Sequence, residues 1–140
     1  MSKVFLGGTC NESTWRSELI PMLKIDYFNP VVDDWTPEFQ AEEERQKAEE
    51  CDVHLYVITP RMTGVFSIAE VIESAIFKHE NCIFCYLPKD GDLEFTKGQI
   101  KSLEAVGRMV VKHDGVWCDS LDQVVEHINY YYGNDHESKN

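Results

Sequence analysis

A three-layer α/β fold built on a five-stranded parallel sheet is what this sequence predicts, on two observations. Nearly all-apolar runs, such as residues 53–58 and 82–87, recur along the chain without polar alternation. Strands covered by helices on both faces read this way. Between these runs lie stretches with helical spacing and cap residues, so strand and helix alternate. That alternation predicts a doubly wound sheet, flavodoxin-like or Rossmann-like. A chain of 140 residues makes one domain with a full core, expected over residues 1–132, with 133–140 a polar, flexible tail.

The elements follow in order. Residues 4–6 form a first strand, closed by Gly7, Gly8 and Thr9. Ser13 or Thr14 caps a helix to about residue 24, with Trp15, Leu19 and Leu23 on one face. A short apolar piece, residues 25–28, runs into the Asn29-Pro30 turn. After a loop carrying Asp33, Asp34 and Trp35, the trio Thr36, Pro37 and Glu38 supplies cap, first-turn proline and first-turn acid for a helix to about residue 51. The third strand is 53–58, ended by Pro60; a helix over 67–79 and a fourth strand at 82–87 follow. Residues 88–91 make a turn, 96–106 a helix, 108–111 the fifth strand and 120–131 a terminal amphipathic helix.

The net charge of −12 argues against a nucleic-acid polymer or an anionic membrane, both of which require a basic face. It leaves room for a small nucleotide whose phosphate is held by backbone N–H groups and one arginine. No run reaches membrane-spanning length, and residues 1–25 lack the apolar core of a signal peptide. Five cysteines, an odd number, fit a reducing cytoplasm better than a disulfide framework. No metal spacing is visible among the five histidines, and no cofactor motif is present. His54 in the third strand and His127 on the last helix read as structural or solvated.

Gly7, Gly8 and Thr9 either make a tight turn or let backbone approach a sugar or phosphate. Cys82 and Cys85 resemble a C-x-x-C pair, but on a strand they point to opposite faces and read as buried hydrophobes. Cys10 beside the glycines has no histidine nearby to activate it. Trp35 with Asp33 and Asp34 suits stacking on and hydrogen bonding to a heterocyclic base, or anchors its own loop. Among Glu42, Glu43, Glu44, Glu49 and Glu50, helical spacing turns one or two toward the core side.

The most informative stretch is residues 63–75. It opens a helix at the carboxyl end of a parallel strand, where open α/β sheets bind ligands. Ser67 and Glu70 form a Ser-x-x-Glu capping box on one reading. On the other, Glu70 is a site carboxylate that small and apolar neighbours strip of water.

Taken together, Val4-Phe-Leu-Gly-Gly-Thr9, Trp15-Arg16, Phe28-Asn-Pro30, Cys51-Asp52 and Gly64-x-x-Ser-x-x-Glu70 resemble the nucleoside 2-deoxyribosyltransferase family, in its divergent deoxyribosyltransferase-like branch, over about residues 3–87. The resemblance implies cleavage or transfer of the N-glycosidic bond of a (deoxy)ribonucleoside or nucleotide, with Glu70 as nucleophile. It places Asp52 on an acidic position at the start of the third strand and Glu44 on one that helps bind the base. Phe5 stands where members often carry an orienting tyrosine, and Gly64 where they carry a loop aspartate. Asp34, Asp33 or Glu44 would hold and protonate the base. Ser67 and the N–H groups near Gly8 and Thr9 would fix a sugar hydroxyl or 5′-phosphate, and Arg16 or Arg61 would add charge. A non-catalytic nucleotide-binding module or sensor is the alternative. Members build sites across subunits, so a homo-oligomer is expected, with Tyr130, Tyr131, Tyr132 and Asn134 reaching a neighbour or simply ending a surface helix.

Overall fold

The computed structural model describes residues 2–32, 34 and 36–133. The chain runs β1 (Lys3–Gly8), α1 (Trp15–Leu19), β2 (Asp26–Phe28), α2 (Pro37–Arg45), β3 (Val53–Ile58), α3 (Phe66–Lys78), β4 (Cys82–Tyr86), β5 (Lys89–Asp90), β6 (Leu93–Glu94), α4 (Lys97–Lys112), β7 (Val116–Cys118) and α5 (Leu121–Tyr132). Five strands form one sheet in the order β2-β1-β3-β4-β7, and every pair in it is parallel. This is the flavodoxin-like order, whose direction of winding reverses between the first strand and the third. The expected fold class is the one observed.

Strand alternation divides the core in two. Val4, Leu6, Val53, Leu55, Val57, Ile83 and Cys85 face α1 and α5, meeting Trp15, Leu19, Val124 and Ile128. Phe5, Tyr56, Ile58, Cys82 and Phe84 face the other way, onto Val71 and Ala75 of α3 and Leu103 and Val110 of α4. All six residues of β3 are buried, which is why its sequence shows no alternation. Cys82 and Cys85 fall in opposite layers, as period-two geometry requires.

Local chemistry sets the helix starts. Thr36 Oγ1 accepts from the Phe39 N–H at 3.0 Å with Pro37 just inside the helix. Thr96 and Gln99 form a reciprocal capping box on α4. Helix α1 is shorter than expected, giving way at Ile20 to a 3-10 turn that contains Pro21. Helix α2 loosens instead into a π-helical turn over Gln46–Glu50.

Two expectations need correction. Residues 108–111 are not a strand: they complete α4, and the fifth sheet strand is β7. A short apolar run does not distinguish strand from buried helix; here Leu103, Gly107 and Val110 recur at helical spacing and are the buried residues of that helix. Gly107 lets the helix lie against the Trp117 ring, which a Cβ would meet at 2.4 Å. Ser67 does not cap α3 either. The helix begins at Phe66, its N-cap is Val65 without a side-chain bond, and Ser67 lies inside the first turn. The turn at 88–91 becomes the hairpin β5–β6, with Gly91 at φ +61°.

No helix among the described residues is long and apolar enough to cross a membrane. Asp33, Trp35, Asn134 and the tail segment 134–140 lie outside the described residues.

Candidate active site

The loops leaving β1 and β3 diverge at the reversal point, because α1 packs on one face of the sheet and α3 on the other. Such a split leaves a crevice beyond the carboxyl ends of the strands. Here it is an open cleft of about 210 Å³ lined by Gly8, Thr9, Cys10 and Asn11 from one loop, and by Met62, Thr63, Gly64, Phe66, Ser67 and Glu70 from the other.

Its floor is built for close approach. Gly8 has φ +115°, and a Cβ there would sit 2.0 Å from the Val57 carbonyl oxygen. The chain then stays on β3, with the Thr9 N–H donating to Val57 O at 2.9 Å and Thr9 Oγ1 accepting from the Thr59 N–H at 2.9 Å. Asn11 Nδ2 laces the two loops, donating to Arg61 O at 2.8 Å and to Thr63 Oγ1 at 3.0 Å. Beside them the hairpin docks through Asp90, which accepts from Ser13 Oγ (2.6 Å) and Arg61 Nε (3.1 Å). Burial opposes the Asp90 charge, but the hydrogen bonds from Ser13, Thr59 and Arg61 outweigh it and lower the pKa.

Arg16 does not line the cleft. Its buried guanidinium donates to Leu6 O (3.0 and 2.9 Å) and Thr9 O (2.7 Å), and stacks on Trp15 at 4.4 Å. It satisfies the carbonyls left where β1 ends. Replacement by methionine strands the Leu6 carbonyl and is expected to cost about 2 kcal/mol, read from the urea midpoint.

Glu70 projects from the second turn of α3 into the cleft. Its Oε2 accepts a 2.6 Å hydrogen bond from Lys47 Nζ, and the two side chains are only 15% and 12% exposed. The same ammonium lies 5.6 Å from the centroid of the Phe5 ring. Lys47 stands in the π-helical turn that ends α2. Helix α2 itself is docked by an aromatic stack, Phe39 on Phe28 (6.2 Å) and Phe28 on Phe5 (6.0 Å). Nothing in the sequence singled out Lys47.

A buried chain of hydrogen bonds ties the two helices together beneath that pair. His54 Nε2 lies 2.8 Å from Lys47 O, and its Nδ1 lies 2.9 Å from Ser74 Oγ, which in turn lies 2.9 Å from Tyr56 Oη. Burial lowers the His54 pKa to about 4, so the ring is neutral at pH 7. A carbonyl only accepts; Nε2 therefore carries the proton, Ser74 donates to Nδ1, and Tyr56 donates to Ser74. The folded pKa lies below the ordinary 6.5, so between pH 6.5 and 4 the unfolded chain binds the extra proton. Stability from this site is complete above pH 6.5 and falls by up to about 3 kcal/mol as pH drops through 4. Urea midpoints at pH 7 and 4.5 should diverge less in His54→Asn than in the wild type.

The acidic run resolves unevenly. Glu44 has a side chain 60% exposed and lies 3.8 Å from Lys47. Glu43 is half-buried, and burial followed by the Glu70 charge raises its pKa. Asp34 is exposed in a bend and Asp52 accepts from the Lys3 N–H at 2.8 Å; neither lines the cleft. Phe5 is buried beneath Lys47, and Gly7 sits against Tyr56, whose ring a Cβ would meet at 2.6 Å. Gly64 opens onto free space, with nothing within 4 Å of the point a Cβ would occupy. Exposed Cys10 shares the wall, its Sγ donating to Gly8 O at 3.6 Å, and no histidine lines the cleft.

So the structure gathers Gly8, Thr9, Gly64, Ser67 and Glu70 in one cleft, sets Phe5 and Gly7 beneath it, and puts Arg16, Glu44 and Asp34 elsewhere. No curated protein and no solved structure gives a significant match to the chain. A family model described as nucleoside 2-deoxyribosyltransferase like matches residues 1–90, the segment that carries the whole cleft, and the chain belongs to that family.

Proposed function

We propose that this protein cleaves or transfers the N-glycosidic bond of a (deoxy)ribonucleoside or its 5′-nucleotide, with Glu70 as the nucleophile. The observation that carries the reading is a shielded glutamate at the β1/β3 reversal point, held by a largely shielded lysine. The family supports the reaction class.

The chemistry parallels retaining glycosidases. One Glu70 oxygen attacks C1′; the C1′–N bond breaks, its electron pair leaves with the base, and the base takes a proton. A glycosyl ester on Glu70 results. Water or a second base then attacks C1′ and returns the carboxylate, giving hydrolysis or transfer. Glu43, half-buried on α2 outside the cleft lining, has its pKa raised by burial and by the Glu70 charge, the direction that suits a proton donor to the base. Backbone N–H groups at Gly8 and Thr9, with Ser67, would hold a sugar hydroxyl or phosphate.

The test is incubation with nucleosides and 5′-nucleotides, with and without a second free base. Base release identifies a hydrolase, and exchange only with an added base identifies a transferase. Binding without turnover leaves the nucleotide-binding module.

A further inference from the structure

We propose that Lys47 is the positioning residue of Glu70, locking one carboxylate oxygen so that the other is presented to the sugar. The proposal rests on the glycosidic reading of Glu70 and adds a residue on a different helix.

Three observations carry it. The bond is short, 2.6 Å, and reaches only Oε2, so that Oε1 has no hydrogen-bond partner among the described residues. Both charges are withdrawn from water, and the ammonium rests near the Phe5 ring rather than a second donor or acceptor from the sheet. Burying an ion pair is seldom the cheapest way to stabilise a fold, because desolvation offsets much of the attraction. The third observation is the support beneath it. His54 holds the Lys47 carbonyl on one side and Ser74 on the other, and Ser74 is one helical turn beyond Glu70. The network therefore sets the spacing between the π-helical turn and α3, which is the spacing the ion pair spans. A π-helical turn displaces side chains from ordinary α-helical positions, a feature frequent at functional sites.

The consequence for the reaction is specific. A carboxylate fixed at one oxygen has already lost the rotational freedom that attack would otherwise cost. When Oε1 becomes esterified, the Lys47 charge faces a neutral group; when the ester breaks, the returning negative charge is met at once. Lys47 therefore aids approach of the sugar through geometry, by holding the carboxylate in place, and its departure from Glu70 through charge.

The experiment compares wild type, Glu70→Gln, Lys47→Met and Lys47→Arg in steady-state base release from a nucleoside, with melting temperatures and calorimetric nucleoside binding. Lys47→Met is expected to lower kcat about 100-fold while KM stays within about twofold, and Lys47→Arg to recover much of the loss. Methylammonium should restore turnover to Lys47→Ala, which a purely structural lysine would not show. If Lys47→Met does not fold, Lys47→Gln carries the same expectation. Undiminished kcat in a folded Lys47→Met overturns this role alone. A wild type that neither releases base nor exchanges it with an added free base overturns the glycosidic reading, and this role with it.

Discussion

Glu70→Gln is expected to lower base release by roughly 10³-fold or more in kcat, the scale seen when a covalent nucleophile is removed. The amide keeps the size of the carboxylate and an oxygen that can accept from Lys47, so the fold should survive. What it lacks is the negative charge that, in the proposed reaction, makes the carboxylate able to attack C1′. The site offers no ready replacement: Cys10 shares the wall, but no histidine lines the cleft to activate it, and Glu44 is turned to solvent. The measurement is kcat and KM for the best nucleoside found, with a melting curve to show that the protein is folded. Wild-type kcat in Glu70→Gln would rule out Glu70 as the nucleophile.

Gly8→Ala is expected to destabilise the protein by about 4 kcal/mol, at the upper end of what single substitutions do. The backbone is at φ +115°, and the new methyl would stand 2.0 Å from Val57 O and 2.7 Å from Val57 N. These are main-chain atoms of a central, fully buried strand, so the neighbour has no rotamer to change. Relief requires β1 and β3 to part at their carboxyl ends, which breaks the Thr9–Val57 and Thr9–Thr59 hydrogen bonds. Gly64→Ala is the matched control: that position is open, and the change should stay within about 0.5 kcal/mol. Denaturation midpoints of the two variants decide it. The contrast separates a glycine demanded by backbone geometry from one that merely leaves the cleft wall open.

Much of the architecture was legible because local pattern and tertiary environment agree. The strands at 53–58 and 82–86 are buried on both faces and look so in sequence, and the Thr36-Pro37 start of α2 forms as its residue types require. The site region was legible for the same reason: a strand, a proline and a helix opening place Glu70 at the reversal point whatever else is known. The failures occur where local pattern underdetermines structure. Residues 108–111 suit a strand by composition, yet Leu103, Gly107 and Val110 extend the helix across them. Ser67-x-x-Glu70 has the spacing of a capping box, but the helix begins before Ser67 and the glutamate is claimed by Lys47. That lysine lies 23 residues upstream. Its approach depends on a π-helical turn and an aromatic stack, neither of which has a sequence signature. Within the acidic run Glu43 feels the Glu70 charge, while the Glu44 side chain is 60% exposed.

In the proposed reaction the decisive step is esterification of Glu70 by the sugar. A nucleoside bearing fluorine beside the anomeric carbon slows breakdown of such an ester by disfavouring positive charge at C1′, so the intermediate accumulates for mass spectrometry. The predicted result is one sugar added to the peptide containing Glu70, with none on Glu70→Gln. Steady base release from an unmodified protein, or the sugar on any other residue, would contradict it.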